Sequence, residues 1–203
     1  MFSNDSKYIT LPVFPLNYLV LPGEQKELHI FEARYKELIR DCLQNNACFG
    51  IVLPKKLKGG VSDYGVLVKI VRVNKTHPSG ELDIVVEGIN VFKTVKFVSV
   101  LSPKLYGAAT AEMIYHQENF CSEETLNLFQ QYTEATSETG VLLSKETTIF
   151  QMAERVGLSS EERLKLTSFA DDKQREELLR GKLRLLIKVC EIEKKLNGDF
   201  WLN

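Results

Sequence analysis

Thr10-Leu-Pro-Val-Phe-Pro-Leu-Asn-Tyr-Leu-Val-Leu-Pro-Gly23, followed by Leu28-His-Ile-Phe-Glu-Ala-Arg-Tyr35, is the stretch on which the fold turns. Pro12, Pro15 and Pro22 cut the first part into short pieces rich in Val, Leu, Phe and Tyr. Proline has no N–H to donate, so these pieces are expected as sheet-edge strands or strand ends, not as helix. From Glu32 the apolar period changes: Tyr35, Leu38, Ile39, Cys42 and Leu43 share one helical face, opposite Lys36, Glu37, Arg40 and Asp41. A strand, a return strand and a helix are therefore expected before residue 46.

Downstream, Ala47 to Leu53 is almost wholly apolar and suits a strand buried on both faces. From Tyr64 to Lys96 the period is two, with a turn at His77-Pro-Ser-Gly80 and a return through Leu82-Asp-Ile-Val-Val86. Glu87-Gly88 is expected to break the chain again before a strand over Val91–Val100, and Tyr106 to Tyr115 completes the set. Short strands interrupted by one early helix describe a small mixed barrel or rolled sheet. After His116 the pattern is helical. Ser122-Glu-Glu-Thr is a capping-type start, Thr147–Val156 and Glu161–Phe169 are short helices, and a long one runs from Asp171-Asp172 to about Leu196. Leu179, Leu183, Leu186 and Cys190, flanked by Leu178, Leu185, Val189, Ile192 and Leu196, form a stripe expected to be bundle core. The expected division is residues 1–117 as the sheet part and 118–203 as a helical bundle.

A length of 203 residues is enough to bury a real core. With 44% hydrophobic residues, 26% charged residues and a net charge of -1, the composition is that of an ordinary globular chain with no global pull toward a polyanion. Cys42, Cys48, Cys121 and Cys190 are scattered without a CxxC pair, which suits buried thiols in a reducing compartment. No signal-type h-region opens the chain, and no apolar run reaches the roughly 20 residues of a membrane helix, so a cytoplasmic location away from membranes is expected.

The ordered set Leu11-Pro-Val-Phe-Pro-Leu, Leu21-Pro-Gly23, Leu28-His-Ile-Phe-Glu-Ala-Arg-Tyr35, Phe49-Gly-Ile51, Tyr64-Gly-Val-Leu-Val-Lys-Ile70 and Val86-Glu-Gly88 resembles the N-terminal substrate-binding domain of Lon proteases, in its stand-alone bacterial form. Gln151-Met-Ala-Glu, Leu158-Ser-Ser-Glu-Glu-Arg163 and the Leu178–Leu196 helix extend the likeness over nearly the whole chain. Where many relatives carry an arginine after the Glu-Gly turn, this chain has Ile89-Asn-Val-Phe92. The resemblance implies an α+β fold: a PUA-like β-barrel with an inserted helix, followed by a C-terminal α-helical bundle. It also implies recognition of polypeptide.

Catalysis is not expected. The chain has no GxxxxGK[ST] phosphate loop, and Ser144 and Lys145 are adjacent, about 100° apart if helical, so they cannot pair as a peptidase dyad. His29, His77 and His116 fall on three separate elements without a close ligand pair, so neither metal nor cofactor is expected. His29 sits in His-Ile-Phe-Glu-Ala-Arg, where a junction network satisfying local groups is favoured over an acid/base or ligand-anchoring cluster. Lys55, Lys56 and Lys58 form a basic loop without interleaved aromatics, a pattern that suits a solvated loop better than an RNA surface.

The candidate peptide-binding residues are Tyr18, Leu19, Val20 and Leu21, with His29 and Phe31. An apolar patch or free strand edge near them would take an extended chain by strand addition. The expected role is a non-catalytic polypeptide-binding module, with an adaptor role for a specific protein partner within it. An RNA-binding PUA-like protein and a small-molecule binder are the alternatives.

Overall fold

The structure is a computed structural model that describes residues 8–55, 60–114, 120–136 and 144–199, with backbone alone for 197–199. Lys56, Lys58 and His116, named above, lie outside the described residues. The fold is mixed α+β, with six strands and five helices among the described residues. It divides into two compact units: Met1–Gln117 with Ser159–Ser168, and Glu118–Leu158 with Phe169–Asn203.

The first unit holds β1 (Tyr8–Pro15), β2 (Gln25–Ile30), α1 (Ala33–Asn45), β3 (Phe49–Pro54), β4 (Val61–Thr76), β5 (Leu82–Val98), β6 (Gly107–Ile114) and the later helix α4 (Ser160–Ser168). Strand order is β2-β5-β4-β3-β1-β6, and β6 pairs with β5 as well. Five strands are thus joined in a closed cycle of hydrogen-bonded neighbours, which leaves them without a free edge. β5 makes this geometry by its length. Its Leu82–Glu87 half carries β2, and its Val91–Val98 half carries β6.

Two expectations change here. β1 is not an edge strand, because it lies between parallel β3 and antiparallel β6. Its prolines are tolerated because Pro12 precedes the first β3 rung at Val13↔Gly50 and Pro15 ends the strand. Nor does Glu87-Gly88 end a strand: β5 continues through it, with a bulge at Ile89 where its register against β4 shifts between Gly88 and Asn90. Gly88 is there because the backbone carbonyl of Leu21 presses where a Cβ would sit, and its N–H and C=O bond Glu24 O at 3.0 Å and Gly23 N at 2.9 Å. A close backbone approach, not a turn, selects the glycine.

Inside the cycle, Leu11, Val13, Val52, Val61, Phe92, Ala109 and Ala111 form one buried cluster. Phe14 packs on Tyr35 of α1 with ring centroids 4.0 Å apart, which ties the helix to β1. Asp41 of α1 accepts from Tyr106 Oη at 2.6 Å and pairs with Lys104 Nζ at 2.6 Å, holding the 101–106 turn. The Lys104 bond, then the Tyr106 bond, keep the Asp41 carboxyl below the usual carboxylate range.

The second unit holds α2 (Glu123–Thr136), α3 (Ile149–Val156) and α5 (Asp172–Asp199). Ser122 Oγ accepts from Thr125 N at 3.4 Å, and Thr148 with Gln151 closes a capping box on α3. Ser144 and Lys145 lie in the turn before α3 instead of on a helix; Ser144 O accepts from Thr147 N at 3.0 Å. Glu176 gathers Ser122 N at 3.1 Å, Thr125 Oγ1 at 2.6 Å and Arg180 Nη1 at 3.2 Å, which locks α2 to α5.

Of the expected α5 stripe, Leu179 and Leu183 are buried, whereas Leu185, Val189, Ile192 and Leu196 are exposed. The reason is angular: at about 100° per residue Leu185 lies about 200° from Leu183, and Val189, Ile192 and Leu196 follow it on that other face, so the wide stripe is two faces of which one is buried.

Candidate functional site

The Asn17–Glu24 segment crosses from β1 to β2, and its apolar residues point inward. Leu19, Val20 and Leu21 are each 0% exposed, so they are core and cannot present a peptide-binding surface. This corrects the expectation for those three residues. Tyr18, half-buried, is held too. Its hydroxyl donates to Glu24 Oε1, Arg163 Cζ lies 4.4 Å from its ring centroid, and Lys26 Nζ lies 4.5 Å from it.

Beneath the segment lies a buried ion pair. Arg163 of α4 donates through Nη1 to Glu24 Oε2 at 2.6 Å and to Leu19 O at 3.1 Å, and the Glu24 carboxylate also accepts from Leu21 N at 2.8 Å. Both side chains are 4% exposed. A pair taken this far out of water is tolerated when further hydrogen bonds accompany it, and here Leu19 O, Leu21 N and the Tyr18 hydroxyl supply them. Ser160 Oγ adds a bond to Asn17 O at 2.8 Å. The region reads as a clamp that fixes the crossing segment against α4.

His29 and Phe31 behave differently. β2 pairs with β5 alone, so its second edge has no strand partner among the described residues. Leu28 and Ile30 face inward, while His29 is exposed and Phe31, just past the strand end, is 60% exposed. The two rings stack at 6.0 Å with a 22° tilt. A free edge with an exposed aromatic at its end offers backbone hydrogen bonds and apolar contact to an extended chain.

The same edge gathers titratable groups that the sequence scatters. The antiparallel register sets His29 opposite Asp83, and the β4–β5 turn returns His77 to the same carboxylate. His29 Nδ1 lies 2.6 Å from Asp83 Oδ1, and His77 Nε2 lies 2.7 Å from Oδ2. Glu81 Oε2 stands 3.6 Å from His29 Nε2. The bond from His29, then that from His77, keep the Asp83 carboxyl below its ordinary value. The expectation that the histidines stay apart therefore fails for two of the three. Asp83 and Glu81 were missed altogether. His77 and Asp83 are hairpin neighbours and could have been paired from the turn signal, but His29 joins them only through a long-range strand register.

A concavity of about 740 Å³ lies between the adjoining ends of β3 and β4 and the helix α4, and is lined by Pro54, Tyr64, Leu164 and Lys165 among others. Lys55, named above as part of a basic loop, lines it as well and is paired with Asp63 at 2.8 Å, so its charge is locally matched. Among the described residues no helix is long and apolar enough to cross a membrane.

A family model of the ATP-dependent protease La (LON) substrate-binding domain matches residues 10–196. Solved structures with the same fold include a Lon N-terminal domain protein from Xanthomonas campestris, 24% identical, at a TM-score of 0.66 over 84% of this chain and 97% of that one. Another is the N-terminal domain of a Mycobacterium avium complex Lon protease, 16% identical, at a TM-score of 0.61 over 87% of this chain and 98% of that one. No curated protein matches the chain in sequence.

Proposed function

The chain belongs to the ATP-dependent protease La (LON) substrate-binding domain family, and from that premise we propose that it is a non-catalytic module binding extended polypeptide. The family match over residues 10–196 is the observation that carries this reading. In this proposal the closed strand cycle is a PUA-like barrel, the helical unit is its companion subdomain, and the module serves as an adaptor. The free thiols of Cys42, Cys48, Cys121 and Cys190 support a cytoplasmic setting.

The contact surface we assign is the open edge of β2 with Phe31, supported by His29. Strand addition there needs no catalytic group. Backbone rungs would supply affinity and Phe31 an apolar anchor, so binding should depend weakly on salt. RNA binding would instead weaken steeply as salt rises, through counterion release.

The test is fluorescence anisotropy with a labelled, permanently unfolded polypeptide and with a labelled RNA, each at two salt concentrations. Polypeptide binding that changes little with salt, and that Phe31→Glu removes without altering the circular dichroism spectrum, is the expected result. Salt-sensitive RNA binding, or binding to neither probe, overturns the proposal. Loss on Lys165→Glu with none on Phe31→Glu moves the contact surface to the cleft beside α4.

A further inference from the structure

We infer that His29, His77 and Asp83, with Glu81 beside them, form a binding site for a divalent transition-metal ion of the zinc class. One ligand atom from each of the first three lies within 4.8 Å of the others. In a zinc site the metal–ligand bonds are about 2.1 Å, which sets the donor atoms roughly 3.4 Å apart. The observed donors, between 2.6 Å and 4.8 Å apart, bracket that spacing, and their exposures of 49%, 24% and 25% leave the side chains room to adjust to it.

The backbone beneath is firm. His29↔Asp83 is one rung of a ladder whose neighbours are Leu28↔Ile84 and Ile30↔Leu82. Leu28, Ile30 and Ile84 are buried, so the alternation of the strands sends His29 and Asp83 to the opposite, solvent face. The turn that carries His77 is closed by His77 N to Glu81 O and Gly80 N to His77 O, both 2.9 Å. The histidine rings stand nearly perpendicular, at 87°, with centroids 5.6 Å apart, and both direct a nitrogen at the one carboxylate.

Without an ion, protons lie between each imidazole nitrogen and an Asp83 oxygen. A metal would take their place: each ring proton moves through solvent to the other nitrogen of its imidazole, and the metal accepts a lone pair from each freed nitrogen and from the carboxylate. The charges suit this exchange. Asp83 and Glu81 bring two negative charges against one dication, while Lys75 stands across the β4–β5 ladder from Asp83 and Lys36 reaches Ser79 O at 3.4 Å. Two imidazoles with a carboxylate favour zinc, nickel or copper over magnesium or calcium. Solvent exposure leaves coordination positions for water. The site is argued without the polypeptide reading, although it shares His29 with the contact edge proposed above, and it would staple the open-edge strand β2 to the β4–β5 hairpin.

The experiment uses the full chain without an affinity tag, titrated with zinc by calorimetry and with cobalt by visible absorption, in excess magnesium. The expected result is one ion per chain, a cobalt spectrum of nitrogen and oxygen ligation, and affinity reduced roughly tenfold or more by His29→Ala and by His77→Ala. Circular dichroism checks the fold of each variant, since both side chains are at the surface. Three results overturn the inference: no saturable binding, binding retained in the His29→Ala/His77→Ala double variant, or a sulfur-to-cobalt charge-transfer band that reports a cysteine site.

Discussion

Between Leu19 and Leu21 every side chain is fully buried, whereas Phe31, at the far end of β2, leaves 60% of its surface in water. Both stretches are short, carry large apolar side chains and lie within fifteen residues of one another in the chain. They differ in what passes over them. Asn17–Glu24 is roofed by Gly88 and by the Arg163 side of α4, which turn a loop into core. β2 has β5 on one side and no strand on the other among the described residues, so Phe31 at its end stays open to water. Hydrophobicity alone therefore does not locate a binding surface; the packing partner does.

The largest expected effect tests the buried half. Arg163→Met strands the Glu24 carboxylate in the core and should cost about 3–5 kcal/mol in urea unfolding. Adding Glu24→Gln should recover part of that loss, because no unpaired charge then remains; an equal or greater loss would mean the arginine acts through packing and not charge. Next, Leu19→Ala should cost ~2–5 kcal/mol, as a fully buried leucine does, and should weaken polypeptide binding only in proportion to unfolding. Selective loss of binding in a stably folded Leu19→Ala protein would restore the segment as a surface.

A smaller effect concerns the α1 anchor. Asp41 has a folded pKa below its unfolded value, so its contribution is present above about pH 3.9 and disappears as pH falls through the folded pKa. Asp41→Asn should lower stability by up to ~1 kcal/mol near neutrality, as expected for a pair still reached by water. That difference should vanish toward pH 2, and a pH-independent difference would refute the electrostatic origin. The smallest stability change belongs to the open half: Phe31→Glu should shift unfolding by no more than ~0.5 kcal/mol. A large loss there would show that Phe31 is structural and erase the contrast between the two stretches.

Much of this was legible in the residues. The period change at Glu32 marks α1, the alternation from Tyr64 marks β4, and Ser122 announces a helix start that the structure caps as expected, whereas the Thr148 capping box on α3 became visible only in the structure. The missed features share a cause. Gly88 looks like a turn residue until Leu21 is placed against it, and the whole α5 stripe looks like a bundle seam until packing buries the face of Leu179 and Leu183 and leaves that of Leu185 to Leu196 in water. The candidate site divides the same way: His29 and Phe31 remain at the surface, Leu19, Val20 and Leu21 do not, and Asp83 gained meaning only as the rung opposite His29.

The amino-acid order by itself determined the element types, most of their bounds and the family, since helical and strand periods are set by neighbours a few residues apart. Tertiary structure decided the closure of five strands through the double use of β5, the burial of Glu24 on Arg163, the open edge of β2 and the meeting of His29 with His77. Those features depend on strand register and on contacts between residues as far apart as Glu24 and Arg163, 139 positions along the chain. No local period encodes such separations, so they emerge only when the whole chain competes for one core.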